Sequence, residues 1–378
     1  FKKIMKKFFP VNEPRLAGNE ALYLEQCIQA NEIAAGEFIN KFEAEFANHL
    51  SVNYAQTVSN GTAALEVALY AAGVKAGDEV ILPSFTIISC ALAVLRLGAI
   101  PVVTDVSPKN LNIEANLIEK CITSNTKAIM VVHIYGHPCD MDPIKELANQ
   151  YNLKIIEDCA EAHGAEYKNN LCGSLGDVST FSFYANKHIT TGEGGMVVTN
   201  SEEINSRAGF YKNLCFEKNE RFHHNELGYN FRLSNIQCAV GLAQLEKFNS
   251  ALEHKIICGE RYRENLKDIP YFMMQNEESW AKQVYWVYCI RIRDGFPANA
   301  KEAMRLLKNE GVDTRPFFKG MHDQPALKKL GLFSDVECPI TDLAYKNGFY
   351  LPSGLNISLN DIDQVCDIVE SVFNKLAK

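Results

Sequence analysis

A single lysine stands where a buried strand gives way to a flexible loop. In the stretch STFSFYANKHITTGEGGM, residues 179–196, Phe181 and Phe183 alternate with small polar residues, and Lys187 precedes a run of Thr and Gly. A lone lysine at a strand end is ordinarily a solvated terminus. Held in a desolvated pocket, the same amine becomes a nucleophile that can join an aldehyde cofactor as a Schiff base.

Three other groups bear on that choice. The first is Asp158 in IIEDCAEAH, just past a buried run. An enzyme using pyridoxal phosphate (PLP) needs a carboxylate facing the pyridine nitrogen, so that the ring serves as an electron sink. Alone, such an Asp reads equally as a turn or cap residue. The second is SNGTAALEVAL, where Gly61 and Thr62 open a helix directly after a strand. Free N–H groups and the helix dipole suit a phosphate there, and the hydroxyl of Ser182 can join them. The third is LPSFT, where Phe85 follows a strand end and could stack on a cofactor ring, although core packing is the usual fate of Phe. His188 is a tempting acid/base beside Lys187. Adjacent side chains on an extended chain point apart, however, which leaves it at most a substrate-side role. Cys159 and His163 have no second Cys/His cluster at ligand spacing, so no metal is expected.

These residues need a scaffold. Short β-branched runs at 55–58, 79–82, 100–104, 128–133, 153–157, 178–183 and 195–199 alternate with helical patterns as far as the fifth. That order predicts a largely parallel, helix-covered sheet, with the last two strands antiparallel because no helix separates them. The segment 158–176 is long and aperiodic, as functional loops often are, and leaves the carboxyl end of a strand, where open α/β sheets bind ligands. Residues 233–266 read as one or two long helices. Beyond Tyr271, short strands such as VYWVYCIRIR and helices at 301–311 and 361–378 read as an α+β unit. The expected division is a large domain over 1–249, with an N-terminal arm over 1–16, and a small C-terminal α+β domain over 250–378.

Composition narrows the class. Of 378 residues, 47% are hydrophobic and 22% charged, which suits a soluble globular protein with a large core. The net charge of −8 and the lack of a basic run beyond FKKIMKKFF argue against nucleic-acid binding. No apolar run reaches membrane-span length, and no signal-peptide core follows the N-terminal lysines. The 12 cysteines are dispersed without a CxxC pair, which favours reduced thiols in a cytoplasmic compartment.

Taken together, the blocks GEFINKFEAEFA, SNGTAAL, DEVILPSFT, IIEDCAEAHGA, SFYANKHITTGEGGM and LGYNFRLSNIQCAVGLAQL resemble the DegT/DnrJ group of PLP-dependent sugar aminotransferases over nearly the whole chain. The resemblance implies PLP-dependent transferase fold type I, aspartate-aminotransferase-like, with a mixed seven-stranded sheet. It implies that Lys187 holds the cofactor and moves a proton between sugar and cofactor carbons. Asp158 would pair with the pyridinium, Phe85 would stack on the ring, and Gly61, Thr62 and Ser182 would hold the phosphate. Asn230 would reach the phosphate of the neighbouring subunit's cofactor, giving a homodimer with shared active sites. Glu161 would lie beside the cofactor's phenolic oxygen, where many relatives carry Gln. A charged Glu there must be protonated or turned away.

The block GVDTRPFFKGMHDQP resembles the perosamine-synthase branch, which aminates the fourth carbon of a nucleotide-linked 4-keto-6-deoxyhexose. This implies Arg315, Phe317 and His322 near the sugar nucleotide, with Tyr184 a further sugar contact and glutamate the amino donor. The nucleotide (GDP, UDP or dTDP) and the product, of perosamine or viosamine type, stay open. Two other readings are a PLP-dependent sugar 3-dehydratase, whose family members replace the lysine with His, and a non-catalytic PLP- or sugar-binding regulator.

Overall fold

The computed structural model describes residues 7–217, 219–220, 222–275 and 277–378. The first six residues of the lysine-rich N-terminal segment lie outside that range. The main sheet has seven strands: β1 (Tyr54–Val58), β2 (Glu79–Pro83), β3 (Ile100–Thr104), β4 (Thr126–Val132), β5 (Lys154–Asp158), β6 (Val178–Ser182) and β7 (Gly195–Thr199). Their spatial order is β1-β7-β6-β5-β4-β2-β3. β7 runs antiparallel to both β1 and β6, and the other pairings are parallel. The β6–β7 connection contains no helix, the usual carrier of a parallel crossover, and the chain returns antiparallel.

The helices are α1 (Glu20–Ala30), α2 (Glu37–Leu50), α3 (Gly61–Ala71), α4 (Ser89–Arg96), α5 (Ala115–Glu119), α6 (Met141–Tyr151), α7 (Glu202–Tyr211), α8 (Asn235–Glu246) and α9 (Phe248–Leu266). The sheet is covered on both faces, so its strands are buried almost throughout, with successive side chains pointing to opposite faces. In β4, Ala128, Met130 and Val132 join one apolar core with Leu65 and Val67 of α3 and Val94 of α4. Ile129 and Val131 point the other way, into a core with Ile144 and Leu147 of α6. Phe181, Phe183 and Met196 meet Phe38, Phe42 and Phe46 of α2 on that same side of the alternation, away from Val178 and Val197.

The run read as one or two helices is two, abutting at Lys247. The segment after β5 is not structureless. Residues 166–167 and 170–171 form a hairpin, and Ala281–Lys282 adds a third strand to it. A second, wholly antiparallel sheet is built from β8 (Phe272–Met274), β9 (Tyr288–Ile292), β10 (Arg315–Pro316) and β11 (Gly348–Leu351), in the order β8-β9-β11-β10. It packs with α9, α10 (Ala300–Asn309) and α11 (Leu359–Leu376) around Tyr262, Leu307, Phe349 and Phe373. Phe9, near the chain start, pairs with Val312 and is buried in that core.

Candidate active site

Three strand-to-loop junctions converge on one cavity of about 730 Å³. The first is the turn from β1 into α3. Asn60 caps this helix by accepting the Ala63 N–H (2.8 Å), while the Ala64 N–H goes to the Asn60 carbonyl (3.0 Å). Gly61 and Thr62 therefore present the first-turn N–H groups that no helix carbonyl can reach. A Cβ on Gly61 would stand 2.8 Å from Ser182 Cβ, so only glycine lets the helix end approach β6 this closely. Gly195 has a matching role. A Cβ there would lie 2.7 Å from the Asn60 carbonyl oxygen. The glycine at the end of the Thr/Gly loop thus makes room for the capping turn, not for a ligand.

The second junction is the end of β5. Asp158 is 4% exposed, and it accepts the Ala160 N–H on Oδ1 (3.0 Å) and the Cys90 thiol on Oδ2 (3.3 Å). Burial pushes its carboxyl up, against the pull of these donors and of the Lys187 charge. Glu161, three residues on, is also buried. Its Oε2 accepts the N–H of Tyr135 (2.7 Å), a residue in the left-handed region at φ 55°, unusual for a bulky side chain. Burial pushes Glu161 up to about 7, with the Lys187 charge and the Tyr135 N–H opposing. A buried carboxyl titrating near neutrality can donate as well as accept.

The third junction is the loop after β6. The Lys187 N–H donates to the Tyr184 carbonyl (2.9 Å) in a tight turn. That turn brings Ser182, Tyr184, Asn186 and Lys187 to the cavity wall. Burial lowers the Lys187 pKa, while Glu161 and Asp158 oppose the shift. A desolvated lysine with a depressed pKa is the nucleophile that the sequence suggested. Its Nζ lies 3.8 Å from the ring centroid of Trp286.

The cavity wall therefore unites Gly61, Thr62, Asp158, Glu161, Ser182, Tyr184 and Lys187. It does not include the other residues singled out from sequence. Phe85 is fully buried against Tyr135 and Phe317, and Ile87, two residues on, lines the cavity in its place. Phe317 is likewise in the core, and its neighbour Phe318 faces the cavity. In both cases the aromatic named from the sequence packs in the core and a nearby residue faces the cavity. His188 is buried behind Lys187, with Nε2 3.4 Å from the Val284 carbonyl. His322 is tied to Ser84 Oγ through Nδ1 (2.7 Å) and lies 3.2 Å from Asp342 through Nε2, a link between chain segments. Arg315 is exposed and pairs with Asp313 (2.8 Å), although its strand partner Tyr350 lines the cavity. Asn230 is exposed and bridges to Asn213, while the next residue, Phe231, reaches the cavity.

Trp286, Tyr350, Phe318 and Asn186 are wall residues that sequence reasoning did not single out. Only Asn186, adjacent to Lys187, carried a local signal. Next to the site, Glu157, His133 and Cys159 are buried, with one potential ligand atom of each within 4.8 Å of the others. Their hydrogen bonds are met by protein. Glu157 Oε1 accepts from Leu175, Gly176 and Ser179, and its Oε2 accepts from Gly173 and His133. The Cys139 N–H donates to His133 Nδ1 (3.0 Å), which leaves the imidazole proton on Nε2, facing Glu157.

Comparison with known proteins identifies the family. The GDP-perosamine synthase of Escherichia coli O157:H7 is 39% identical over 372 residues, covering 97% of this chain and 99% of its own. That of Vibrio cholerae is 37% identical over 366 residues, with the same coverage of 97% and 99%. Among solved structures, an aminotransferase from Psychrobacter cryohalolentis superposes with a TM-score of 0.92 at 28% identity, covering 98% of this chain and 100% of its own. The Helicobacter pylori aminotransferase involved in pseudoaminic acid biosynthesis also gives 0.92, at 26% identity and with coverage of 98% and 100%. The model of the DegT/DnrJ/EryC1/StrS aminotransferase family matches residues 14–370, and the chain belongs to that family.

Proposed function

We propose that this sugar-nucleotide aminotransferase moves an amino group from glutamate to the fourth carbon of a nucleotide-linked 4-keto-6-deoxyhexose. The product is an NDP-4-amino-4,6-dideoxyhexose of perosamine or viosamine type for glycan biosynthesis. The observation that carries the reading is the convergence of a desolvated lysine, a buried carboxyl and an open helix N-terminus on one cavity. It is supported by similarity to GDP-perosamine synthases over almost the full length of both chains.

The residues fit PLP, on which aminotransferases of this family depend. The glycine-only approach of Gly61 to Ser182 leaves a cradle of N–H and hydroxyl groups suited to a phosphate, and Thr62 Oγ1 is steadied by donating to Ser89 Oγ (2.9 Å). Bound there, PLP supplies an electron sink to the carbon that loses or gains a proton. Lys187 would hold the cofactor and carry that proton on Nζ. Asp158 would face the ring nitrogen, with the Cys90 thiol and the Ala160 N–H fixing its orientation. Glu161, protonated near neutral pH, would donate to the phenolic oxygen, which removes the repulsion expected of a charged Glu. Ile87 rather than Phe85 would cover the ring face. Tyr184, 48% exposed on the wall, stays the foremost sugar contact, and Arg315 is adjacent by register to the wall residue Tyr350.

The proposal extends to a homodimer in which the exposed Asn230 meets the partner's cofactor. It also extends to a division at residues 249/250, supported by two sheets drawn from residues before 200 and after 271. A cytoplasmic setting is supported by the 12 free cysteines. No helix of the described residues is long and apolar enough to cross a membrane.

The test is product analysis. PLP-loaded protein is incubated with glutamate and, separately, GDP-, UDP- and dTDP-linked 4-keto-6-deoxyhexoses, and mass spectrometry reads the sugar. One nucleotide series should gain the amino group at carbon four. Release of 2-oxoglutarate with no amino sugar from any of the three would refute the substrate class.

A further inference from the structure

A second lysine is buried behind the cavity. Lys255 of α9 is 4% exposed and makes no ion pair with a carboxylate among the described residues. A buried unpaired ammonium is costly, so a site retains it for a reason. Its Nζ donates to the main-chain carbonyls of Trp286 (2.9 Å) and Ser353. Beyond this main-chain anchor, the Trp286 indole Nε1 donates to the Asn186 carbonyl (2.9 Å), and its ring lies nearly parallel to that of Tyr135. On this pinned indole rests Lys187, its Nζ 3.8 Å from the ring centroid. Although Asp158 and Glu161 share the cavity wall, Lys187 makes an ion pair with neither among the described residues.

We propose that the Trp286 indole is the seat of the Lys187 ammonium whenever the lysine is not joined to the cofactor, and that Lys255 anchors the indole in that position. The inference rests on the reading of Lys187 as the cofactor-bearing residue. Transamination frees this lysine in each half-reaction. A free ammonium beside the buried Asp158 would otherwise pair with it, occupying the group that must meet the ring nitrogen. An aromatic face stabilises the cation without a counter-charge. The other titratable groups around it do not compete. Burial brings His163 down to about 3 and His188 well below its usual range, so both are neutral at physiological pH. Lys255, brought down to about 7 by burial, lies behind the indole and is shared with Lys187 and His188 by a small cavity. Trp286 is thus a positioning residue for the amine, and Lys255 acts through it.

Two readouts other than turnover test this. The chain has two tryptophans, so Trp280→Phe leaves Trp286 as the sole emitter in full-length, cofactor-free protein. Its emission should show a step on pH titration that disappears in Lys187→Met. The step should weaken in Lys255→Met and persist in Lys255→Gln, whose amide can still donate to a carbonyl. Identical titrations with and without Lys187 would overturn the seat, and an unaltered step in Lys255→Met would remove the anchor. The second readout is the pH dependence of covalent PLP capture, followed by absorbance. Its midpoint should fall by about one pH unit in Trp286→Leu, a tenfold gain in neutral amine, and by less in Trp286→Phe. Slower capture with an unmoved midpoint would mark Trp286 as mere packing. If wild-type protein captures no PLP, the functional reading fails, while the emission titration still decides the seat.

Discussion

Replacing Glu157 by Gln changes one atom, and the structure says it should be severe. Glu157 is fully buried, and both oxygens are saturated by donors: Gly173, Leu175, Gly176, Ser179 and His133, at 2.6–3.0 Å. An amide NH₂ must replace one oxygen. The less costly placement faces Gly173 N–H and His133 Nε2–H, and there two charge-assisted bonds become donor–donor contacts. At about 1.5–3 kcal/mol for each bond to a charged group, the loss is about 3–6 kcal/mol. That is a large share of the ~5–15 kcal/mol by which a typical protein is stable. Urea unfolding of cofactor-free wild type and Glu157→Gln measures the difference directly. The pH dependence gives a second signature. Burial opposes the charge on Glu157, but the His133 and backbone N–H bonds outweigh it and hold its pKa below the usual 4.5. An acid depressed in the fold stabilises above its unfolded pKa, and that contribution is lost as pH falls through the folded value. The gap between wild type and variant should therefore be full near neutrality and shrink below about pH 4.5. A loss under about 1 kcal/mol at neutral pH would show that the five bonds do not cooperate as argued.

Other perturbations have equally definite outcomes. Gly61→Ala sets a methyl carbon 2.8 Å from Ser182 Cβ, so the helix end must move off β6. PLP affinity should drop at least tenfold while thermal stability changes little, because the helix propensity gained from Ala (roughly 1 kcal/mol) offsets part of the strain. Unchanged affinity by equilibrium titration would exclude this turn as the phosphate cradle. Glu161→Gln removes an acid raised from 4.5 to about 7, whose fold binds the proton more tightly than the unfolded chain. Wild-type stability should therefore decline as pH rises from about 4.5 to about 7, and the variant should lack that decline. Parallel stability–pH curves from urea titrations would show that Glu161 is not held protonated.

The sheet was legible because its strands are short β-branched runs broken by turn chemistry, and the antiparallel pair because nothing helical separates 183 from 195. The site was legible where it is local. Gly61 and Thr62 open a helix, Asp158 ends a strand, and Ser182, Tyr184 and Lys187 follow within a few residues of one another. Trp286, Phe318 and Tyr350 lie 99 or more residues beyond Lys187 and arrive through packing of the C-terminal segments, and no period in the sequence marks them. Phe85 and Phe317 lie in the core while Ile87 and Phe318 face the cavity; an aromatic ring in a sequence signals either a core or a ligand face. Only the backbone direction separates the two. Glu157, read as one more strand residue, proved to be the hub joining β5 to the 171–176 loop.

The account turns on Lys187 as the amine that holds the cofactor. Borohydride reduction of PLP-loaded protein, followed by peptide mapping, tests this directly. The account predicts one phosphopyridoxyl group, on Lys187, and none in Lys187→Arg. A label on Lys255 or on any other lysine, with Lys187 unmodified, would contradict it.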